Sequence, residues 1–184
     1  INWFDQVVRP TVPQWQINLT ASGGTDRVQY FNSIGYYSEE GMWKANSLSY
    51  ERYNLRSNIT AKLSDYLTTE FQIGGFYDYK DAPAYYPSEI LNAVGSQVPI
   101  YEVYANGNPD YIGYQYNDDK NALIKSSQKY AGYRRTKNFQ VQLSASIRWD
   151  IPWVKGLYAK ALVAYDPRYH TDKMLKKQFS TYKY

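Results

Sequence analysis

Apolar and polar residues alternate with a period of two along six stretches of this chain, the signature of strands with one dry and one wet face. The fifth stretch is the cleanest: Phe139, Val141, Leu143, Ala145, Ile147 and Trp149 oppose Asn138, Gln140, Gln142, Ser144, Ser146 and Arg148. The first sets Trp15, Ile17, Leu19 and Ala21 against Gln14, Gln16, Asn18, Thr20 and Ser22. The second breaks step at Asn32, among Val28, Tyr30, Ile34 and Tyr36. The pattern predicts strands over 14–22, 27–37, 52–63, 67–78, 138–149 and 157–166. Such stretches are about twice as long as a soluble-protein strand, and they match the roughly 9 to 11 residues that a tilted strand needs to cross a bilayer.

The connections sort by end. Gly23-Gly24-Thr25-Asp26, Ser64-Asp65-Tyr66 and 150–156 are short, whereas 38–51 and 79–137 are long and everything after Asp166 reads as loop. Outer-membrane barrels show this asymmetry, with tight periplasmic turns and long extracellular loops. The first, third and fifth strands would then run toward the periplasm. Tyr36, Tyr37, Tyr53, Tyr77, Tyr79 and Tyr165 fall near the outer rim, and Trp149, Trp153 and Tyr66 near the inner one, as two interfacial girdles. The expected fold is all-β, an antiparallel transmembrane β-barrel segment of about six strands with long extracellular loops, located in the bacterial outer membrane. Bacterial barrels begin at about eight strands, and an open edge in lipid leaves backbone groups without partners. The remaining strands are therefore expected elsewhere in a longer polypeptide.

Composition agrees with a wall that averages its two faces. The mean hydropathy is −0.65, and no stretch approaches the roughly 20 apolar residues of a spanning helix. The 22 tyrosines suit half-dry, half-wet surroundings, since the ring is apolar and its tip polar. A net charge of +4 without a Lys/Arg run gives no reason to expect nucleic acid as a partner. Its two basic clusters, Arg134-Arg135 and Lys173 to Lys177, fall in regions that read as solvated loops. With no cysteine and a single His170 in an apparent loop, neither a disulfide framework nor a thiolate or histidine metal site is expected.

Residues 79–137 carry most of the remaining information. A structureless loop of that length is usually functional or disordered, and its aromatic content favours packing. Tyr85, Tyr86, Tyr101, Tyr104, Tyr111, Tyr114 and Tyr116 are candidates for lining an outer vestibule against substrate or a partner; the plainer alternative is that they pack the loop itself. A helical turn or two is expected over 88–94 behind a capping Ser88, and another over 121–129. Asn117-Asp118-Asp119 is acidic but lacks the spacing of a calcium loop. No catalytic constellation and no cofactor motif is present, so an enzyme is not expected.

Three blocks, in order along nearly the whole chain, resemble the SusC/RagA-like TonB-dependent outer-membrane receptors of Bacteroidetes. They are Ser22-Gly23-Gly24-Thr25-Asp26 with Tyr30-Phe31, Gly35-Tyr36 and Glu40-Gly41; Tyr53-Asn54-Leu55-Arg56-Ser57-Asn58; and Asp150-Ile151-Pro152-Trp153-Val154-Lys155-Gly156-Leu157. The resemblance implies a 22-stranded barrel with an N-terminal plug, energised through TonB. It also implies a SusD-like surface lipoprotein that sits over the barrel and helps capture glycans or peptides. The plug, the TonB-contacting segment and the remaining strands are not among these residues. On this reading Arg56, Lys62, Glu70, Gln140, Gln142 and Arg148 line the lumen or meet the plug. Two other readings stay open: a soluble carbohydrate-binding β-sandwich, and a non-transporting outer-membrane barrel.

Overall fold

The computed structural model describes residues 1–115 and 121–183. Its strands are β1 (Gln14–Gly24), β2 (Val28–Glu40), β3 (Ser49–Ser64), β4 (Leu67–Pro83), β5 (Gly132–Asp150), β6 (Tyr158–Tyr165) and β7 (Arg168–Lys176). From β1 to β6 each pairs antiparallel with the next in chain order, and β7 also pairs with β5. Tyr165 faces Leu143 and Arg168 faces Gln140, so β6 and β7 hold one unbroken register on β5. Pro167 lies between them. It has no N–H to return to the ladder, but its carbonyl still accepts from the Val141 amide at 3.1 Å. The wall is thus six strands wide, as the alternation predicts.

Two boundaries differ from that expectation. The segment after Asp166 is strand rather than loop, and the long connection spans 84–131 rather than 79–137, because β4 and β5 stay paired from Tyr79↔Lys137 to Pro83↔Tyr133. Here charged residues occupy both faces, as in Lys80 beside Asp81 and Arg134 beside Arg135. A hydropathy alternation disappears where both faces meet water, although the hydrogen-bond ladder continues.

The tight connections 25–27, 65–66 and 151–157 lie at one end of the sheet, and 41–48 and 84–131 at the other. Register aligns the apolar positions into a continuous face. Leu19, Ile34 and Leu55 form one cross-strand row, and Ile73, Leu143 and Tyr165 another. Another row runs Tyr36, Tyr53, Tyr77, Phe139 and Tyr169 across β2 to β7, with ring centroids 5.0 Å apart for Tyr36–Tyr53 and 6.4 Å for both Tyr53–Tyr77 and Phe139–Tyr169. This row corrects the outer girdle in two places. Tyr37 sits on the polar face, stacked edge-on to Tyr50, and Tyr165 lies partway along the wall because the strand continues beyond it.

Burial is inverted relative to a soluble protein. The wall's apolar side chains are exposed, Leu19 at 68 % and Val163 at 72 %, while Asp78 and Ser146 on the polar face are buried. No buried hydrophobic side chain among the described residues lies in a strand of the wall. The dry core sits instead in a cap at the long-loop end. It brings α1 (Trp3–Val7), the 41–48 connection, α2 (Pro87–Ser96) and α3 (Ala122–Lys125) together around Trp3, Val7, Trp43, Ile90, Ala93 and Ala122, with α4 (Gln128–Ala131) beside α3. A second cluster of Ile112, Ile124 and Ala131 adjoins it, and Tyr85 packs against both. Helices form where expected, but 121–129 gives two short ones, α3 and α4, and α2 begins two residues earlier than a Ser88 cap would place it. The Tyr86 amide donates to Glu89 Oε2 at 2.7 Å, and Pro87 takes the first position, where its missing N–H costs nothing.

Candidate functional site: the polar face and its mouth

Arg56, Lys62, Glu70, Gln140, Gln142 and Arg148 all lie on the polar face, since their register partners share its parity from β2 through β6. They do not converge on one point. Glu70 accepts from Ser146 Oγ at 3.0 Å and pairs with Lys160 at 3.1 Å, tying β4, β5 and β6 together. Arg148 binds Asp150 at 2.7 Å and lies 4.1 Å over the Tyr158 ring. Higher up, Gln142 faces Gly74, whose missing side chain leaves room for it. The face is therefore a polar strip with charges distributed along its length, suited to a solvated passage rather than to bond-making at a single centre.

At the cap end the strip closes into a hollow of about 370 Å³ between wall and cap. Lys80, Arg134, His170 and Asp172 contribute from the polar face, and Trp43 and Tyr86 from the cap. Arg134 Nε and Nη2 grip the Asp172 carboxylate, with the shortest contact 2.6 Å, and its guanidinium stacks 4.4 Å from the Tyr86 ring. Hydrogen bonding to Arg134 holds the Asp172 carboxyl below the usual aspartate range, and Asp172 in turn raises the Arg134 guanidinium. Asn138 Nδ2 donates to Asp78 at 2.7 Å, so its Oδ1 accepts from His170 Nδ1 at 2.6 Å; a neutral His170 then presents Nε2 as an acceptor. The Trp43 indole N–H is buried with no acceptor among the described residues.

The seven tyrosine candidates divide. Tyr86 is 54 % exposed and reaches this mouth. Tyr85 is half-buried between the two cap clusters, with Lys125 and Lys176 over its ring at 4.7 and 4.4 Å. Tyr101 meets Tyr114 edge-on at 6.5 Å, Tyr104 bridges to Ile112, and Tyr111 packs on Tyr182 at 4.9 Å. Tyr116, like Asn117-Asp118-Asp119, lies outside the described residues. Lys80, Trp43, His170 and Asp172 were not candidates in the sequence, because the stretches that hold them read as loop. A period-two pattern of charge on one face, Arg168-His170-Asp172, is the signal that could have found two of them. Among the described residues no cluster of His, Cys, Asp and Glu could hold a metal ion.

Fold and site together define an antiparallel β-sheet with one apolar and one polar face and an ordered cap at its long-loop end, and known proteins share this fold. The chain is 27% identical over 160 residues to TonB-dependent receptor P26 of Formosa agariphila, a match covering 82% of this chain and 15% of that protein. It superposes on a chain of the RagAB peptide importer, in that importer's closed-closed state, with a TM-score of 0.68 and 21% identity, covering 91% of this chain and 19% of the other. No protein-family model matches. The chain thus spans less than a fifth of either protein. The resemblance to TonB-dependent receptors is borne out, by sequence in the first case and by fold in the second, and the matched proteins are a receptor and an importer rather than enzymes.

Proposed function

We propose that these residues form part of the wall and the extracellular mouth of a TonB-dependent outer-membrane transporter that imports glycans or peptides. The observation that carries this reading is a continuous apolar face left exposed on a sheet whose other face is polar, with the dry core displaced into the cap. A sandwich would bury the apolar face between its sheets. A lipid-facing wall must leave it outside.

On this reading the polar strip from Lys62 to Arg148 faces the lumen or a plug, and the mouth around Arg134 and Tyr86 is passed by cargo on its way in. A SusD-like surface lipoprotein is the partner expected over the cap. The likeness to an importer of peptides favours neither cargo decisively, because at this identity it speaks for fold alone. Deleting the gene for the full-length protein and comparing growth on oligosaccharides with growth on oligopeptides as sole carbon source separates the two. Loss of growth on one supply names the cargo class. Unimpaired growth on both, from a protein shown to reside in the outer membrane, would favour a non-transporting barrel.

A further inference from the structure

The outer continuation of the wall carries a group of cations for which passage through the lumen has no use. On the apolar face, the aromatic row Tyr77–Phe139–Tyr169 is followed outward by the row Tyr79–Lys137–Thr171, and then by Asp81–Arg135–Lys173. All three cations are exposed. They point away from the lumen, to the side where the aromatic rings meet lipid. Basic residues within a loop would be ordinary solvated charges; these are held in strand register on the outer surface of the wall.

Their arrangement is costly as it stands. Arg135 and Lys173 are directly opposite each other, and like charges in that relation destabilise a sheet. Asp81 relieves Arg135 only in part, at 3.5 Å, and it also accepts from Gln128 at 3.0 Å. Lys137 and Lys173 have no carboxylate partner among the described residues. Three cations share these rows with two carboxylates, Asp81 and, beside Tyr79, Glu51, which leaves a local surplus of one positive charge. Arg135 and Lys137 also rest near ring faces, 4.2 Å from Tyr133 and 5.7 Å from Tyr79, which keeps both near the strand surface.

The height fits one kind of counter-charge. Two to four residues beyond the aromatic row is about 7 to 14 Å along a strand, and about 5 to 10 Å of depth for a strand tilted near 45°. That is where headgroups lie, just outside the hydrocarbon core. A phosphomonoester there carries about −1.5 to −2 charge at neutral pH, enough to neutralise that surplus and to relieve the Arg135–Lys173 repulsion.

We propose that Arg135, Lys137 and Lys173 form a binding site for the phosphate of an outer-leaflet lipid headgroup. The inference rests on the reading of this sheet as outer-membrane wall. The phosphate bridges Arg135 and Lys173, converting a repulsive cross-strand pair into a clamp, and it anchors β5 and β7 to the membrane surface below the cap.

The test uses the full-length receptor, extracted in detergent and stripped of lipid. It is titrated with phosphorylated lipid A and with the same lipid after phosphatase treatment, and bound lipid is read by native mass spectrometry. The wild type is expected to prefer the phosphorylated form, and Lys137→Gln and Lys173→Gln are each expected to reduce that preference roughly fivefold. Gel mobility before and after heating reports that each variant barrel is folded. Equal binding of the two lipids by the wild type overturns the proposal without recourse to any variant. Displacement of lipid by inorganic phosphate at matching concentration also overturns it, assigning the site to the free ion. A receptor found in the outer membrane but indifferent to lipid phosphate sinks this site alone; one absent from the membrane sinks the transport reading as well.

Discussion

Arg134 on β5 and Asp172 on β7 are two residues out of register, yet they join through a two-pronged bond from Nε and Nη2, 2.9 and 2.6 Å from the same carboxylate oxygen. The pair spans the last stretch of wall before the cap, and Tyr86 of the cap stacks on the guanidinium. Through Tyr86 it is one of the electrostatic fastenings between wall and cap, beside Lys176 over the Tyr85 ring and Gln128 on Asp81.

That fastening has an acid limit. The folded state holds the Asp172 carboxyl below its ordinary value of about 3.9, so the pair stabilises the fold above that pH and is lost as pH falls through the depressed value. A pair this accessible to water contributes about 0.2–1 kcal/mol. The thermal midpoint of the full-length protein in detergent should therefore drop more between about pH 5 and pH 2 in wild type than in Asp172→Asn. Parallel curves for the two proteins would remove the pair from the account.

The two faces of β5 should respond oppositely to charge. Leu143 lies on the apolar face in a row with Ile73 and Tyr165, and Gln142 beside it points to the polar strip. Leu143→Arg is expected to cost about 2–4 kcal/mol of barrel stability if the residue sits near the bilayer midplane, and Gln142→Arg far less. Denaturant titration of the reconstituted receptor reads the difference. Equal losses would contradict the assigned faces.

The cap should yield independently of the wall. Trp43 is 1 % exposed at the centre of its core, and Trp43→Ala removes a large side chain there at a cost of about 3–5 kcal/mol. Because the wall's ladder does not run through Trp43, limited proteolysis should open 84–131 in the variant while the heat-modifiable barrel band persists. Loss of the barrel band together with the cap would show that the two fold as one unit.

Gly75 tests the β4–β5 pairing from the backbone side. A side chain there would place its Cβ 2.5 Å from the Gln140 carbonyl oxygen, closer than atoms can approach. Gly75→Ala should force the two strands apart locally, lowering the yield of assembled receptor relative to Gly74→Ala, where the nearest side-chain atom is 3.7 Å away. Outer-membrane yield on heated and unheated gels gives the comparison, and equal yields would show that the strands absorb the clash.

The sequence by itself determined the wall. Alternation from Trp15 to Leu19 and from Phe139 to Trp149 encodes strand, face and length together, because a strand with one dry and one wet face must change environment at every residue. It also determined the sorting of short and long connections, since tight turns such as Gly23-Gly24 are written in local residue chemistry. Only the tertiary structure decided how far the strands continue. Past Tyr79 and Tyr169 charged residues occupy both faces, so no hydropathy signal marks a ladder that backbone hydrogen bonds still hold. It also decided the mouth. Trp43, Tyr86, Arg134 and Asp172 are far apart in the chain and belong to segments without apolar–polar alternation. They meet because β7 continues the line of β6 alongside β5 and the cap closes its own apolar core above them, a long-range packing event.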